Sequence, residues 1–409
     1  MARRGENIHK RKDGRWEGRY IKARTPDRRI CWGYIYGTTY AEVKQRLIHK
    51  KSEYGGYASF FFGVMILAVV AGCRDQVVGT DVMVYGVRFY NLAHSSVSIK
   101  DLFQKLTISG EASDYAFHLL NFALTRAFKD YHIGLFAYSF LTFSFFLKGC
   151  MEYKKMNGDS VAFRMLLVCF LFYNTSLNAM RQLIAVAIVY CATAYLLQDR
   201  YKLFSVLAVL ACSFHSSGLI SLVIFGCHLI LKDNKNYSEK KRFIKASIFL
   251  LISGCIVLFI NQIIKYFVTL GILRSSYLNY ISSGKYGGSG GLALFNIIGP
   301  TIICAFSSFL FYRFHRSDKE GSNKIFFTMM TVILLVMSFS TIISNYFLRV
   351  SYYFTPLAYE CQIINRKYFE KKSRVIWKVI MILLAVVPWM HDIVQLNYGE
   401  TIPYVFFRN

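Results

Sequence analysis

The run Tyr57-Ala58-Ser59-Phe60-Phe61-Phe62-Gly63-Val64-Met65-Ile66-Leu67-Ala68-Val69-Val70-Ala71-Gly72 passes without a break into Cys73-Arg74-Asp75-Gln76-Val77-Val78-Gly79-Thr80-Asp81. Sixteen apolar or small residues end on an arginine and two carboxylates. A hydrophobic helix leaving a bilayer reads this way, and charge at that edge is either an anchor or a site. Similar apolar runs recur as far as residue 390. The chain is 55% hydrophobic and 17% aromatic, has 5 prolines in 409 residues, and has a mean hydropathy of +0.35. These numbers exclude an ordinary soluble domain and predict a polytopic membrane protein. Its spans must be helical, because lipid offers backbone groups no other partner.

The net charge is +26, from 49 Lys+Arg against 23 Asp+Glu. In a soluble protein that excess would point to nucleic acid. Here much of it lies in short loops between spans, where it sets orientation. The ten cysteines are scattered, mostly inside spans, with no CxxC pair and no His/Cys cluster at ligand spacing. They read as small core residues. Met1 opens a polar, basic segment rather than a signal peptide.

Residues 1–55 are basic and are expected in the cytoplasm. The first span, about 57–72, then runs outward, and 73–130 lies outside with amphipathic stretches such as Tyr115 to Phe128. Further spans are expected at about 131–148, 161–175, 180–197, 244–268, 292–312, 325–346, 349–366 and 375–391. The stretch 203–231 has basic residues at both ends, so both ends belong inside and one crossing cannot serve. It is broken by Ser213-Phe214-His215-Ser216-Ser217-Gly218, which predicts a hairpin or re-entrant pair with His215 near its outer apex. The fold class is thus all-α and polytopic, about ten membrane segments, preceded by a small α+β domain. The glycine-rich 282–291 resembles a phosphate loop but lacks a preceding strand and a GK[ST], so a flexible lid or linker is the better reading.

This topology gathers Arg74, Asp81, Arg181, His215 and Arg349 at the outer edge. Positive residues are less expected there, so outer arginines that adjoin spans need a partner. An anionic substrate fits, since arginine suits bidentate diphosphate or carboxylate binding. Arg181 lies near a helix N-terminus, which adds a favourable backbone dipole. Asp81 is either a base or the ion-pair partner of Arg74. His215 is a base, a hydrogen-bond donor, or a satisfied turn residue. Gln182 supports Arg181 from the same helix end, although adjacent helical residues do not share a face. Tyr352, Tyr353 and Tyr404 either stack on sugars or form an interfacial belt. With no DxD and no His/carboxylate cluster, the site reads as metal-independent and cofactor-free.

Five segments in order resemble the EpsG family, which is related to Wzy-type polymerases of polysaccharide assembly. They are Cys73-Arg74 to Gly79-Thr80-Asp81 with Tyr85; Asn178-Ala179-Met180-Arg181-Gln182-Leu183-Ile184-Ala185; Phe214-His215-Ser216-Ser217; Arg349-Val350-Ser351-Tyr352-Tyr353-Phe354; and Ile402-Pro403-Tyr404. The resemblance covers 57–409. It implies a multi-helix protein of the bacterial cytoplasmic membrane with a glycosyltransferase C-like arrangement. It also implies polymerisation of exopolysaccharide or capsule repeat units from polyprenyl-diphosphate-linked saccharides, beside other assembly proteins. Asp81 and His215 would be catalytic; Arg74, Arg181, Gln182 and Arg349 would bind substrate. Alternatives are a non-catalytic flippase of lipid-linked saccharide and an inactive fusion product. Such proteins usually carry a further hydrophobic helix before the Arg-to-Asp motif, and here a soluble segment stands in that place.

That segment, 1–54, resembles the arm-type DNA-binding domain of tyrosine recombinases. The resemblance rests on Met1 to Ile8 and on Lys10-Arg11-Lys12-Asp13-Gly14-Arg15-Trp16-Glu17-Gly18-Arg19-Tyr20. Asp13-Gly14 reads as a hairpin turn, Trp32 to Gly37 as a third strand, and Thr39-Tyr40-Ala41-Glu42 as a capping box opening a helix. Its roughly fifteen Lys/Arg would serve phosphate contact with DNA. A fusion passenger is the plainer reading.

Overall fold

A computed structural model describes residues 7–24, 30–158, 160–232, 248, 259–270, 290–314, 321–341, 346–365 and 369–407. Residues 282–289 of the expected lid or linker, most of the 244–268 span and the basic loops after Lys232 and Phe314 lie outside the described residues. The chain divides into two compact units, Met1–Ile66 and Leu67–Asn409.

The first unit carries an antiparallel sheet in the order β1 (Ile8–Lys10), β2 (Trp16–Arg24), β3 (Ile30–Gly37), followed by the start of α1 (Tyr40–Gly72). Gly14, at φ +85, makes the first turn, a left-handed conformation that glycine adopts without a Cβ penalty. Thr39 Oγ1 accepts from the Glu42 backbone N–H at 3.2 Å. The Glu42 carboxylate reaches back to the Thr38 N–H at 2.9 Å, one residue earlier than in a standard capping box. Ile8, Tyr20, Val43 and Leu47 form a small core. Gly18 lies under Val43 and leaves room for helix to meet sheet.

The second unit is helical. After α1 a π-helical turn, Val82–Val87, leads into α2 (Arg88–His94), α3 (Ile99–Ile108) and α4 (Tyr115–Ala127). Then come α5 (His132–Asn157), α6 (Val161–Asn178), α7 (Met180–Leu196), α8 (Tyr201–Phe214), a 3-10 turn at Ser216–Leu219, and α9 (Ile220–Leu231). The later helices are α10 (Ile260–Thr269), α11 (Gly290–Phe314), α12 (Gly321–Ser340), α13 (Tyr346–Ser351), α14 (Thr355–Asn365) and α15 (Lys371–Trp389), closed by a π-helical turn at Met390–Gln395.

Among the described residues three helical stretches are long and apolar enough to cross a membrane: His132–Asn157, Val161–Asn178 and Lys372–Gln395. Six apolar helices are shorter, including Met180–Leu196, Tyr201–Phe214 and Ser216–Leu231. The expected 349–366 span is instead two short helices, α13 and α14, separated by a turn at 352–354. Pro356 fits the first turn of α14, where its missing N–H costs nothing. Glu360, Gln362 and Asn365 are buried in α14, so that helix faces protein rather than lipid.

Helix α7 is the axis of the bundle: nearly all of Met180 to Leu196 is buried. A helix apolar all round belongs inside a larger body. Its small residues Ala185, Ala187, Ala192 and Ala194 admit close neighbours, the packing mode used where lipid removes any hydrophobic drive. Gly149 of α5 lies against the Tyr190 ring, and a Cβ there would sit 2.6 Å from it.

The 203–231 stretch breaks at His215. The far end of α9 returns to the start of α8: Lys232 Nζ lies 2.7 Å from Asp199 Oδ1, and Tyr201 OH is 3.5 Å from His228 Nε2. The two helices therefore go out and back. At about 1.5 Å per residue each is shorter than the ~30 Å hydrocarbon core.

Candidate functional site

The 73–81 loop is tied down by the C-terminal tail. Asp75 N–H donates to Val405 O at 2.9 Å, Phe407 N–H to Cys73 O at 3.0 Å, and Gly79 N–H to Glu400 O at 3.0 Å. Tyr404 OH donates to Val70 O at the end of α1. Asn178, last residue of α6, joins both segments. Its Nδ2 donates to Gly399 O at 3.1 Å, and its Oδ1 accepts from Thr80 Oγ1 at 3.3 Å and the Asp81 N–H at 3.4 Å. Three stretches distant in sequence are thus pinned where α6 turns into α7.

That turn sets the arginines. Arg181 is the second residue of α7, and its Nη1 lies 2.6 Å from Asp114 Oδ2. Its guanidinium stands 4.3 Å from the Tyr85 ring centre and 5.5 Å from that of Phe89. Stacking on aromatic faces and a fixed carboxylate hold an arginine rigid while its other N–H groups stay available. Asp114 is buried at φ +62, a left-handed conformation that Asp tolerates better than most residues.

Asp81 sits at the start of the π-helical turn. Burial raises its pKa, and the charges of Arg349 and then Arg181 pull it partly back. Gln182, buried beside Arg181, points elsewhere: its Nε2 donates to Arg349 O at 2.9 Å. It supports α13 rather than Arg181, because consecutive helical residues face about 100° apart.

His215 belongs to a hydrogen-bonded chain. Its Nδ1 lies 2.6 Å from Ser217 Oγ, which lies 2.8 Å from Tyr353 OH. The Ser217 backbone N–H also points at Nδ1, at 3.2 Å. A backbone N–H can only donate, so Nδ1 is the acceptor and the neutral ring carries its proton on Nε2. His215 is thereby set up as a donor to an oxygen. Tyr353 is buried in this chain, so it is not a free stacking platform.

Arg74 stands apart. It is 1% exposed, and among the described residues its one side-chain hydrogen-bonding contact is Nη2 to Met180 Sδ at 3.4 Å. The Arg74–Asp81 ion pair, one of the two readings of Asp81, is not formed among the described residues. Arg74 turns inward against Met180, while the Asp81 backbone is held by Asn178. Burial lowers the Arg74 pKa to about 10, and the nearby phenols of Tyr404 and Tyr173 oppose the shift. The structure thus brings Asp81, Arg181 and the Arg349 backbone to the α6–α7 turn, links His215 through Ser217 to Tyr353 in the turn after α13, and puts Arg74 against Met180 at the start of α7. Sequence reasoning missed Asp114 and the Tyr85–Phe89 cradle. The one signal was an acidic residue opening the α4 pattern. Among the described residues no group of three His, Cys, Asp or Glu side chains is arranged to hold a metal ion.

Comparison with characterised proteins and with solved structures returns no match. The family profile of EpsG matches residues 57–406, which takes in every residue of this cluster. The chain is a membrane protein of the EpsG family.

Proposed function

We propose that this protein extends a lipid-linked exopolysaccharide or capsule chain by glycosyl transfer at the outer face of the bacterial cytoplasmic membrane, with its N-terminus in the cytoplasm and about ten membrane segments. Donor and acceptor are saccharides on polyprenyl diphosphate. The acceptor hydroxyl oxygen bonds to the donor anomeric carbon, the bond from that carbon to the diphosphate oxygen breaks, and the diphosphate leaves with the electron pair. Asp81 takes the hydroxyl proton; its raised pKa brings it closer to the working pH, which favours a general base. Arg181 and Arg349 stabilise the leaving diphosphate, with Arg74 as fixed positive charge beneath them. His215 donates from Nε2 to a substrate oxygen, and Gln182 positions Arg349 through its carbonyl.

The observation that supports this reading is that the turn from α6 into α7 ties all three together: Asn178 Oδ1 accepts from the Asp81 N–H at 3.4 Å, Arg181 opens α7, and Gln182 Nε2 donates to Arg349 O at 2.9 Å. One acid–base group beside two fixed cations is what transfer from a diphosphate needs. Purified protein given a polyprenyl-diphosphate oligosaccharide should yield a ladder of longer lipid-linked chains. No growth beyond the starting oligosaccharide would defeat the reading.

A flippase is the second reading, favoured by charge deep in the bundle: Arg164 and Glu360, each about 1% exposed, form an ion pair at 2.7 Å. That pair is closed, with Tyr190 OH on the same carboxylate at 2.7 Å, so it reads as a structural lock. Movement of lipid-linked saccharide between leaflets without polymer growth would select the flippase. Residues 1–54 are proposed as a passenger domain, with exposed aromatics and arginines such as Arg11 over Tyr36 that suit DNA. Deleting 1–54 should leave polymer formation intact.

A further inference from the structure

A cavity of about 160 Å³ lies between α6, α11, α12, α14 and α15. Its lining includes two edge-to-face aromatic pairs, Phe170 with Trp389 at 5.8 Å and Phe172 with Tyr352 at 6.3 Å between ring centres. Trp389 is fixed further, since its Nε1 donates to Asn174 Oδ1 at 2.8 Å. Aromatic faces attract a cation through the ring quadrupole. Among the described residues that line the cavity, Asp392 is the one acidic side chain, and no Lys, Arg or His lines it. The Asp392 carboxylate has one side-chain partner among the described residues, His391 Nδ1 at 2.8 Å. That imidazole balances the charge only when it is protonated. A carboxylate facing an aromatic, largely apolar hollow calls for a cation.

Asn174 joins this cavity to the candidate site. Its Nδ2 donates to Thr401 Oγ1 at 3.0 Å. One turn further along α6, Asn178 holds Gly399 O and the Asp81 N–H. Residues four apart on a helix share a face, so the tail at 399–401 braces both the cavity and the 73–81 loop. An enclosed cavity of ~150 Å³ admits a benzene ring, so the volume suits one six-membered ring. We propose that this cavity takes one amino-sugar residue of the saccharide, its ring against the aromatic walls and its ammonium group on Asp392. The proposal rests on the polymerase reading and adds which sugar the protein selects. A uronic acid would meet Asp392 as a like charge, and an N-acetylated sugar brings no charge to pair with it.

The test uses full-length protein in lipid nanodiscs at about pH 6.5, below the pKa of roughly 8 typical of an α-amino group. Equilibrium binding is measured for a glucosamine disaccharide, its di-N-acetyl form, and choline as an ammonium without a sugar. The glucosamine disaccharide should bind roughly tenfold or more tightly than the acetylated form, the effect of one charge-assisted contact. Asp392→Asn should abolish that preference, and Asp392→Glu, which keeps the charge, should retain most of it. No binding of the glucosamine disaccharide, equal binding of the two disaccharides, a preference that survives Asp392→Asn, or tighter binding of choline would each overturn the proposal. The two disaccharides on the unaltered protein decide the matter even where Asp392→Asn does not fold. If the amine preference is absent and the same preparation builds polymer from lipid-linked oligosaccharide, only the cavity assignment fails. If the preference is present and no lipid-linked oligosaccharide, with or without amines, is extended, the polymerase reading fails.

Discussion

Arg181 Nη1 meets Asp114 Oδ2 at 2.6 Å, in a cradle of Tyr85 and Phe89. A partly buried, charge-assisted hydrogen bond of this kind contributes about 1.5–3 kcal/mol. Asp114→Ala should therefore lower kcat/KM for the lipid-linked donor by roughly 10- to 100-fold, because Arg181 loses its orientation. Asp114→Asn keeps an acceptor oxygen in place and should recover part of the loss. Initial rates in proteoliposomes check this; equal rates in all three proteins would refute it.

Asp81 predicts a pH dependence. Its folded pKa is raised, so polymerisation should rise as pH climbs through that value, when the carboxylate becomes an available base. Arg349→Gln removes a charge that opposes the shift, so the rising limb should move to higher pH. Stability runs the other way. A raised carboxylate pKa contributes stability at low pH that is lost as pH rises through the folded value. Asp81→Asn should thus raise the Tm near pH 8 and change little near about pH 4. A rate limb that stays put in Arg349→Gln would rule out coupling between the two residues.

Gly399 holds φ +83, and a Cβ there would run into the Asn178 side-chain amide. Gly399→Ala should cost more than about 1 kcal/mol from backbone strain alone. It should also loosen the 73–81 loop, since Asn178 bridges Gly399 to Thr80 and Asp81. Hydrogen exchange of residues 75–82 should speed up in Gly399→Ala. Unchanged protection there would show that the loop does not depend on the tail.

Much of the fold could be read from the sequence, and the residues show why. The Thr39–Glu42 cap and the Asp13-Gly14 turn follow from local chemistry, so short-range patterns find them. The break at His215 followed from charge at both ends of one apolar stretch. The split of 349–366 was hidden: the segment is apolar enough for a span, and only the buried Glu360, Gln362 and Asn365 show that it faces protein. The sequence offered Arg74, Arg181, Arg349, Asp81, His215 and Gln182 as candidates. Their wiring was hidden, because Asp114–Arg181, Gln182–Arg349 and Arg74–Met180 are pairings between distant or unexpected partners that no periodicity encodes.

The Arg164–Glu360 pair should be structural. Removing one partner of a buried ion pair typically costs about 3–5 kcal/mol, whereas replacing both by apolar groups costs far less. Glu360→Ala should sharply lower the Tm of the detergent-solubilised protein, and the double change Arg164→Met with Glu360→Leu should restore much of it. A single change without effect on Tm would remove the lock from the account.

The central claim is that Arg181 and Arg349 hold the diphosphate of a lipid-linked saccharide. The direct measurement is the length distribution of the polysaccharide made by cells carrying Arg181→Ala or Arg349→Ala at expression matched to the unaltered protein. Loss of one charge-assisted contact predicts a fall in long-chain polymer of roughly tenfold or more in each variant. Long-chain polymer at unaltered levels in both variants would contradict the claim.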